Sequence, residues 1–152
     1  MLNTLAVDLD GTLFTGEEDA DFTDPVSVRA STRPHRPSMN LLSRIAHRCY
    51  VHIVTARTTR LAGATTHQLA NVNTPPLEDV HFQPEPWEGI EDARAWKAEV
   101  LAKIGADVYI GDRLYDLKAA SQAGARFIFA RTWRLLAGAD ITDELEEAPG
   151  LG

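Results

Sequence analysis

Two pairs of aspartates, far apart in the sequence, are the residues best suited to chemistry. Asp8 and Asp10 follow a largely apolar run at 2–7, and Asp112 and Asp116 follow a run at 107–110. If both runs are strands of one parallel sheet, their carboxyl ends meet at the edge where such sheets bind ligands. Carboxylates gathered there repel each other unless a cation neutralises them. Oxygen ligands without histidine or cysteine suit Mg²⁺, and Mg²⁺ at such an edge suggests phosphate chemistry.

Each aspartate also has an ordinary structural interpretation. The stretch 10–12, Asp-Gly-Thr, could be a simple turn in which Asp8 caps a backbone amide. Asp112 or Asp116 could be the N-cap of a helix. Taken singly, each of these interpretations is adequate. The occurrence of all these aspartates at or just after strand ends nevertheless favours a functional site.

The hydrophobic pattern predicts strands that alternate with helices, and hence parallel βαβ units. Ser38 is a plausible N-cap for one helix, and Gly105 and Gly124 are natural stops for two others. The expected fold is α/β, a three-layer Rossmann-like arrangement with a central parallel sheet of about five strands flanked by helices. The predicted strands are 2–7, 50–54, 80–82, 107–110 and 126–130, and the predicted helices are 39–48, 59–70, 91–104 and 114–123.

The chain of 152 residues is expected to form one catalytic domain over 1–138. Residues 14–37 lack helical or alternating periodicity and contain three prolines, which predicts an irregular flap. Residues 139–152 are acidic and are expected to form a flexible tail.

The net charge of −7 conceals a strong division along the chain. No acidic residue occurs between Asp24 and Glu78, while that stretch contains seven arginines. They either decorate solvated faces or form a positive mouth for an anionic substrate, and the sequence leaves both possibilities open. The seven are Arg29, Arg33, Arg36, Arg44, Arg48, Arg57 and Arg60.

Composition excludes several classes of protein. A single cysteine, Cys49, rules out an internal disulfide framework and a cysteine-rich zinc module. The acidic balance argues against indiscriminate binding to nucleic acid or to anionic membranes. No segment approaches the length of a membrane span, so we expect a cytoplasmic protein that does not bind membranes.

The sequence DLDGTL at 8–13 resembles the first motif of the haloacid dehalogenase superfamily of phosphatases and phosphotransferases. Thr55 after the second strand is similar to the second motif, Lys97 to the third, and GDRLYD at 111–116 to the fourth. The resemblance covers most of the chain, in the family's order. It implies that Asp8 is the nucleophile and that Asp10 is the general acid and base, which favours phosphoester chemistry over carbon–halogen cleavage. Thr55 and Lys97 would bind the transferring phosphoryl group, with Lys103 a less favoured rival for Lys97.

The same resemblance implies a Mg²⁺ cofactor. Its ligands would be Asp8, the backbone carbonyl of Asp10, Asp112, and Asp116 either directly or through water. Neither gap between motifs can hold a cap domain, so the site should be open. The expected substrate-binding residues are Gly11, Thr12, Arg33, Ala56, Arg57 and Arg113.

The substrate expected from these features is a phosphate monoester on a nucleotide or a nucleic-acid terminus. An arginine-rich rim suits more than one phosphate, and Thr55-Ala56-Arg57 is weakly similar to a Ser/Thr-x-Arg step in polynucleotide kinase-phosphatases. The alternatives are a phosphotransferase, a phosphatase of small metabolites, a module that works with a separate kinase, or a non-catalytic sensor of phosphate or metal. The sequence leaves the oligomeric state open.

Overall fold

A computed structural model of the protein describes residues 2–135. Five parallel strands form the central sheet in the order β5-β4-β1-β6-β7, and two short strands pair antiparallel beside it. The predicted α/β fold with a five-stranded parallel sheet is confirmed. The strands are β1 (Thr4–Val7), β2 (Phe14–Thr15), β3 (Arg33–Pro34), β4 (Tyr50–Thr58), β5 (Asp79–Gln83), β6 (Val108–Gly111) and β7 (Arg126–Phe129).

Helices cover both faces of this sheet. Successive residues of β1 alternate between two apolar clusters, because Leu5 and Val7 belong to one and Ala6 to the other. Since both faces are buried, the strands have continuous apolar runs rather than an alternating pattern. The helices are α1 (Pro25–Ser31), α2 (Arg36–Ile45), α3 (Ala62–Ala70), α4 (Ile90–Ile104), α5 (Leu114–Ala123) and α6 (Ala130–Leu135), with short 3₁₀ turns at Glu17–Asp19 and Thr59–Leu61.

The flap expected to be irregular is more ordered than the sequence suggested. It contains β2, β3, the first 3₁₀ turn and α1. Pro25 is at the start of α1, where proline fits a helix, and the Asp24 side chain accepts a hydrogen bond from the Val26 amide at 3.0 Å. Pro25, which in the sequence argues against a helix, is therefore the first residue of α1.

The start of α2 also differs from the expectation. Its N-cap is His35, whose Nδ1 accepts a hydrogen bond from the Ser38 amide at 3.4 Å. Ser38, the predicted N-cap, lies inside the helix, and its buried hydroxyl accepts a hydrogen bond from Arg134. Pro37 is tolerated because it lies in the first turn.

None of the helices in residues 2–135 combines the length and the apolar character that crossing a membrane requires. The predicted acidic tail at 139–152 lies outside the described residues.

Candidate active site

Three carboxylates and one ammonium group meet at the carboxyl edge of the sheet. Asp8 follows β1, Asp112 follows β6, and Asp116 lies in the first turn of α5. One ligand oxygen from each lies within 4.8 Å of the others. From α4, the Lys97 Nζ approaches Asp8 Oδ1 at 3.1 Å and Asp116 Oδ1 at 2.6 Å. Lys97 thus occupies the position inferred for it, whereas Lys103 is exposed on the same helix.

Two glycines make room for these carboxylates. A Cβ on Gly11 would lie 1.9 Å from Asp112 Oδ2, and a Cβ on Gly111 would lie 2.7 Å from Asp116 Oδ2. Gly11 also has a φ of +80°, which favours glycine. Gly11, for which substrate binding is predicted, therefore leaves space for the Asp112 carboxylate.

The electrostatics of the cluster follow from burial and mutual repulsion. Burial raises the pKa of Asp8 well above its ordinary value, against the lowering effect of Lys97 and with added repulsion from Asp116 and Asp112. Burial likewise raises the pKa of Asp112. Burial alone would lower the pKa of Lys97, but Asp116 and Asp8 outweigh it, and that pKa lies well above its usual value. A bound cation would therefore add to the effect of Lys97 and favour the ionised form of these carboxylates.

The donor set fits Mg²⁺. Asp112 Oδ1 is buried and has no hydrogen-bond partner among residues 2–135. An orphaned carboxylate oxygen beside two further carboxylates offers the all-oxygen ligands that a small hard cation prefers. Asp8, Asp112 and Asp116 are thus the residues that could hold the metal.

Arg57 is placed differently from the expectation. Its Nε and NH2 donate to the two carboxylate oxygens of Asp10 at 2.9 and 2.8 Å. Its remaining N–H groups donate to Thr65, Gln68 and Thr32, at 2.7–3.2 Å. Because all five donors have protein acceptors, the buried guanidinium has none left for a substrate. It instead fixes Asp10 beside the cavity.

Thr55, for which a catalytic role is predicted, and Ala56, for which substrate binding is predicted, both line the cavity. The Thr55 hydroxyl accepts a hydrogen bond from the Arg57 amide at 3.1 Å and is nearly fully buried. Thr12 is fully buried next to the cavity lining rather than in it, and its hydroxyl has no partner among the described residues.

The cavity over this edge has a volume of about 430 Å³. Besides the carboxylates, its lining includes aromatic, acidic and basic side chains. Trp87 is 47% exposed. These lining residues are Glu17, Glu18, Phe22, Arg60, Glu85, Trp87, Arg113 and Tyr115.

The arginine-rich rim is only partly present. Arg57, Arg60 and Arg113 line the catalytic cavity, but Arg29 and Arg33 line a second cavity of about 550 Å³ formed by α1, β3 and α3. Arg33 is therefore not brought to the carboxylates of Asp8, Asp112 and Asp116. Its position on β3, paired with Thr15 of β2, directs this part of the flap to another face.

Sequence reasoning missed Tyr109. Its hydroxyl accepts a hydrogen bond from Lys97 at 2.8 Å and lies 3.2 Å from both Asp116 Oδ1 and the Val54 carbonyl oxygen. Burial raises the pKa of Tyr109 well above its usual value, so the phenol stays neutral. The available signal was a single hydroxyl in the otherwise apolar run of β6, which needs a buried partner.

Comparisons with solved structures agree on the fold, whereas comparisons of sequence find no match. No known family model and no curated protein sequence matches the chain. A chain of the Pnkp1/Rnl/Hen1 RNA repair complex aligns with a TM-score of 0.70 and 13% identity, over 84% of this chain and 42% of that one. This chain thus spans less than half the length of that protein.

Two further solved structures align over most of both chains. A haloacid dehalogenase-like hydrolase from Streptococcus pneumoniae gives a TM-score of 0.58 at 12% identity, covering 83% of each chain. A haloacid dehalogenase family enzyme from Bacteroides thetaiotaomicron, in complex with magnesium and inorganic phosphate, gives 0.53 at 12% identity, over 85% of this chain and 94% of that one. The chain therefore has the fold of the haloacid dehalogenase superfamily.

Proposed function

We propose that this protein is a Mg²⁺-dependent phosphomonoester hydrolase that acts through an aspartyl-phosphate on Asp8. The observation that carries the proposal is the pairing of Asp8 with the buried Lys97 at 3.1 Å, next to the carboxylates of Asp112 and Asp116. A nucleophile, a fixed cation and a metal-binding set at one sheet edge are the components of phosphoryl transfer.

In the first step, an Asp8 carboxylate oxygen attacks phosphorus and the bond from phosphorus to the ester oxygen breaks. Asp10 in its protonated form gives its proton to the departing oxygen. Lys97 and Thr55 bind the phosphoryl oxygens as the charge on them redistributes. Asp8, Asp112 and Asp116 would hold Mg²⁺, and the bound cation would shield the phosphoryl charge from the attacking carboxylate.

In the second step, water attacks the phosphorus of the aspartyl-phosphate and the Asp8 carboxylate leaves. Asp10 takes the proton from this water, which returns both aspartates to their starting forms. Arg57 supports the first step rather than the second, because its two hydrogen bonds to Asp10 stabilise the carboxylate that remains once Asp10 has given up its proton.

For the substrate, we propose a phosphate monoester on a nucleotide or on a nucleic-acid terminus. Support comes from the aromatic side chains that line the cavity, since Phe22, Trp87 and Tyr115 offer surfaces for a base. Further support comes from the likeness to a chain of an RNA repair complex. A separate kinase is a further proposed partner. Phosphorylated small metabolites, and transfer to an acceptor other than water, are the competing possibilities within the same chemistry.

The test is phosphate release from 4-nitrophenyl phosphate, with Mg²⁺ and with EDTA, by the wild type and by Asp8→Asn. Turnover by the wild type with Mg²⁺ alone, and none by the variant, is the expected result. Retained turnover in Asp8→Asn would move the nucleophile elsewhere. Binding of phosphate and Mg²⁺ without turnover would favour a sensor, and phosphate recovered on an added alcohol would indicate a phosphotransferase.

A further inference from the structure

Gln68 of α3 connects the guanidinium of Arg57 to the flap. Its Oε1 accepts a hydrogen bond from Arg57 NH1 at 2.7 Å. Its Nε2 donates to the Thr32 hydroxyl at 2.9 Å and lies 3.4 and 3.5 Å from the carbonyl oxygens of Thr32 and Val28. The reverse orientation of the amide would place its N–H groups against those of Arg57. The amide therefore uses its acceptor on Arg57 and its donors on the flap.

Thr32 closes this connection into a ring of three side chains. Its Oγ1 accepts hydrogen bonds from Arg57 NH2 at 3.2 Å and from Gln68 Nε2 at 2.9 Å, and it donates to the Val28 carbonyl at 2.7 Å. A hydroxyl has one donor and two acceptor positions, so all three are used. Because Thr32 and Arg57 are both buried, breaking the ring would leave a buried polar group without a partner.

The ring determines where Arg57 holds Asp10. The NH2 group that donates to Thr32 also donates to Asp10 Oδ1 at 2.8 Å, while Nε donates to Oδ2 at 2.9 Å. A planar guanidinium that binds both oxygens fixes the plane of the carboxylate. The NH1 group is in turn held by Thr65 and Gln68, which lie three residues apart on one face of α3. The orientation of the Asp10 carboxyl group thus depends on acceptors on α3 and on the flap.

We infer that Gln68 is a positioning residue that, through Arg57, keeps the Asp10 carboxyl group oriented towards the ester oxygen of the substrate. Gln68 lines the second cavity rather than the cavity that contains Asp8 and Asp10, so it acts on the reaction only through its neighbours. Without Gln68, one N–H of Arg57 loses its acceptor, and the guanidinium is free to turn and to take the carboxylate with it. This inference rests on the proposed function, in which Asp10 gives its proton to the departing oxygen.

The experiment compares kcat/KM for 4-nitrobenzyl phosphate and 4-nitrophenyl phosphate in the presence of Mg²⁺. The alkoxide that leaves the benzyl ester is a much stronger base than 4-nitrophenolate, so its departure depends more on a proton donor. Gln68→Met keeps the length of the side chain without the amide, and it should lower the value for the benzyl ester by about tenfold to a hundredfold. The value for 4-nitrophenyl phosphate should fall by no more than about threefold, because that leaving group needs little help from a proton.

Gln122→Met is the matched control. Gln122 is exposed on α5, accepts a hydrogen bond from Arg94 and lines neither cavity. The same substitution there removes the same kind of bond away from Asp10, and it should leave both values unchanged. Equal losses for both esters in Gln68→Met, or the same pattern of losses in Gln122→Met, would overturn the inference.

A double variant tests whether Gln68 acts through Asp10. Asp10→Asn cannot give a proton, so it should itself slow the benzyl ester more than the phenyl ester. In that background Gln68→Met should cause no further loss of preference, because the group that it positions has gone. An undiminished effect of Gln68→Met in the Asp10→Asn background would show that Gln68 acts by another route and would overturn the inference.

Thr32 provides a second test of the same ring if Gln68→Met does not fold. Thr32→Val removes the hydroxyl and keeps the shape, and it should slow the benzyl ester more than the phenyl ester. Thr32→Ser keeps the hydroxyl and should restore the wild-type ratio of the two values to within about twofold. An identical ratio in the two Thr32 variants would contradict the positioning role.

Failure of the proposed function is recognised separately. Equal slowing of both esters by Asp10→Asn would overturn the proposed role of Asp10 and the inference with it, whereas the expected effect of Asp10→Asn beside equal losses in Gln68→Met would overturn the inference alone. If the wild type hydrolyses neither ester, the phosphatase proposal fails, and the NMR signal of the Arg57 Nε–H, assigned with Arg57→Lys, tests the positioning without turnover. Its protection from solvent exchange should be lost in Gln68→Met and kept in Gln122→Met. Unchanged protection in Gln68→Met would overturn the inference.

Discussion

Replacing Lys97 with methionine removes the one buried cation that the described residues place between Asp8 and Asp116. Its Nζ is fully buried and donates to Asp8, Asp116 and Tyr109 at 3.1, 2.6 and 2.8 Å. Methionine has a similar length but no charge, so the buried carboxylates of Asp8 and Asp116 would lose the cation between them. Breaking a buried ion pair by removing one partner costs about 3–5 kcal/mol.

That loss should be visible in thermal unfolding. For a domain of this size it corresponds to a fall in Tm of roughly 6–20 °C in EDTA at pH 8. Mg²⁺ should recover part of the loss, because a bound cation offsets the same carboxylates; at a hundredfold excess over Kd it contributes about 2.7 kcal/mol. Phosphatase activity should nevertheless fall by about 10² or more, since Lys97 is placed to bind the transferring group.

The loss should also depend on pH. The pKa of Asp8 already lies above its ordinary value because burial outweighs Lys97, and removing Lys97 would raise it further. A carboxyl whose pKa is raised on folding contributes stability at low pH that is lost as the pH rises through its folded pKa. The deficit of Lys97→Met in EDTA should therefore shrink as the pH is lowered from 8 towards the ordinary aspartate value.

Lys103→Met is the control, because Lys103 is exposed on the same helix and the charge change is identical. It should unfold and turn over like the wild type. The reasoning is refuted if Lys97→Met unfolds at the wild-type temperature in EDTA at pH 8, if its deficit does not change with pH, or if both lysine variants lose equally.

Three further predictions concern single side chains. Asp8→Asn should stabilise the metal-free protein relative to the wild type, because the raised pKa of Asp8 makes its ionisation unfavourable in the folded state. The stabilisation should grow as the pH rises from 4 to 8. A difference in denaturant midpoint that stays constant with pH would contradict this. Asp112→Asn should abolish most of the Mg²⁺-induced rise in Tm, and an undiminished rise would place the metal elsewhere. Burial raises the pKa of the Cys49 thiol to about 11, so its alkylation by iodoacetamide at pH 8 should be much slower in the folded protein than in denaturant, and equal rates would contradict its burial.

The parts of the site that sequence predicted are those set by local spacing. Asp8 and Asp112 follow strands that lie side by side in the sheet, so the order of strands alone brings them together. Lys97 lies on α4, which contacts β4 and β5. The prediction that it meets Asp8 rests on the family resemblance as well as on its position in a helix.

The parts that sequence missed depend on contacts between distant segments. Arg57 meets Asp10 across 47 residues, and its saturation also requires Thr65 and Thr32, which no local pattern could indicate. The distribution of arginines leaves open whether they form one basic rim or lie on solvated faces. In the structure, Arg29 and Arg33 line the second cavity rather than the cavity at the sheet edge. The sequence does not predict α1, because proline is typical of loops as well as of the first position of a helix, where Pro25 lies.

The most direct test of the account is the covalent intermediate itself. The protein would be mixed with 4-nitrophenyl phosphate and Mg²⁺, quenched rapidly in acid, and examined by mass spectrometry. We predict that a fraction of the wild-type protein gains the mass of one phosphoryl group on the peptide that contains Asp8, and that Asp8→Asn and an EDTA-treated sample gain none. Turnover without any phosphorylated peptide, or a phosphoryl group on another residue, would contradict the assignment of Asp8 as the nucleophile.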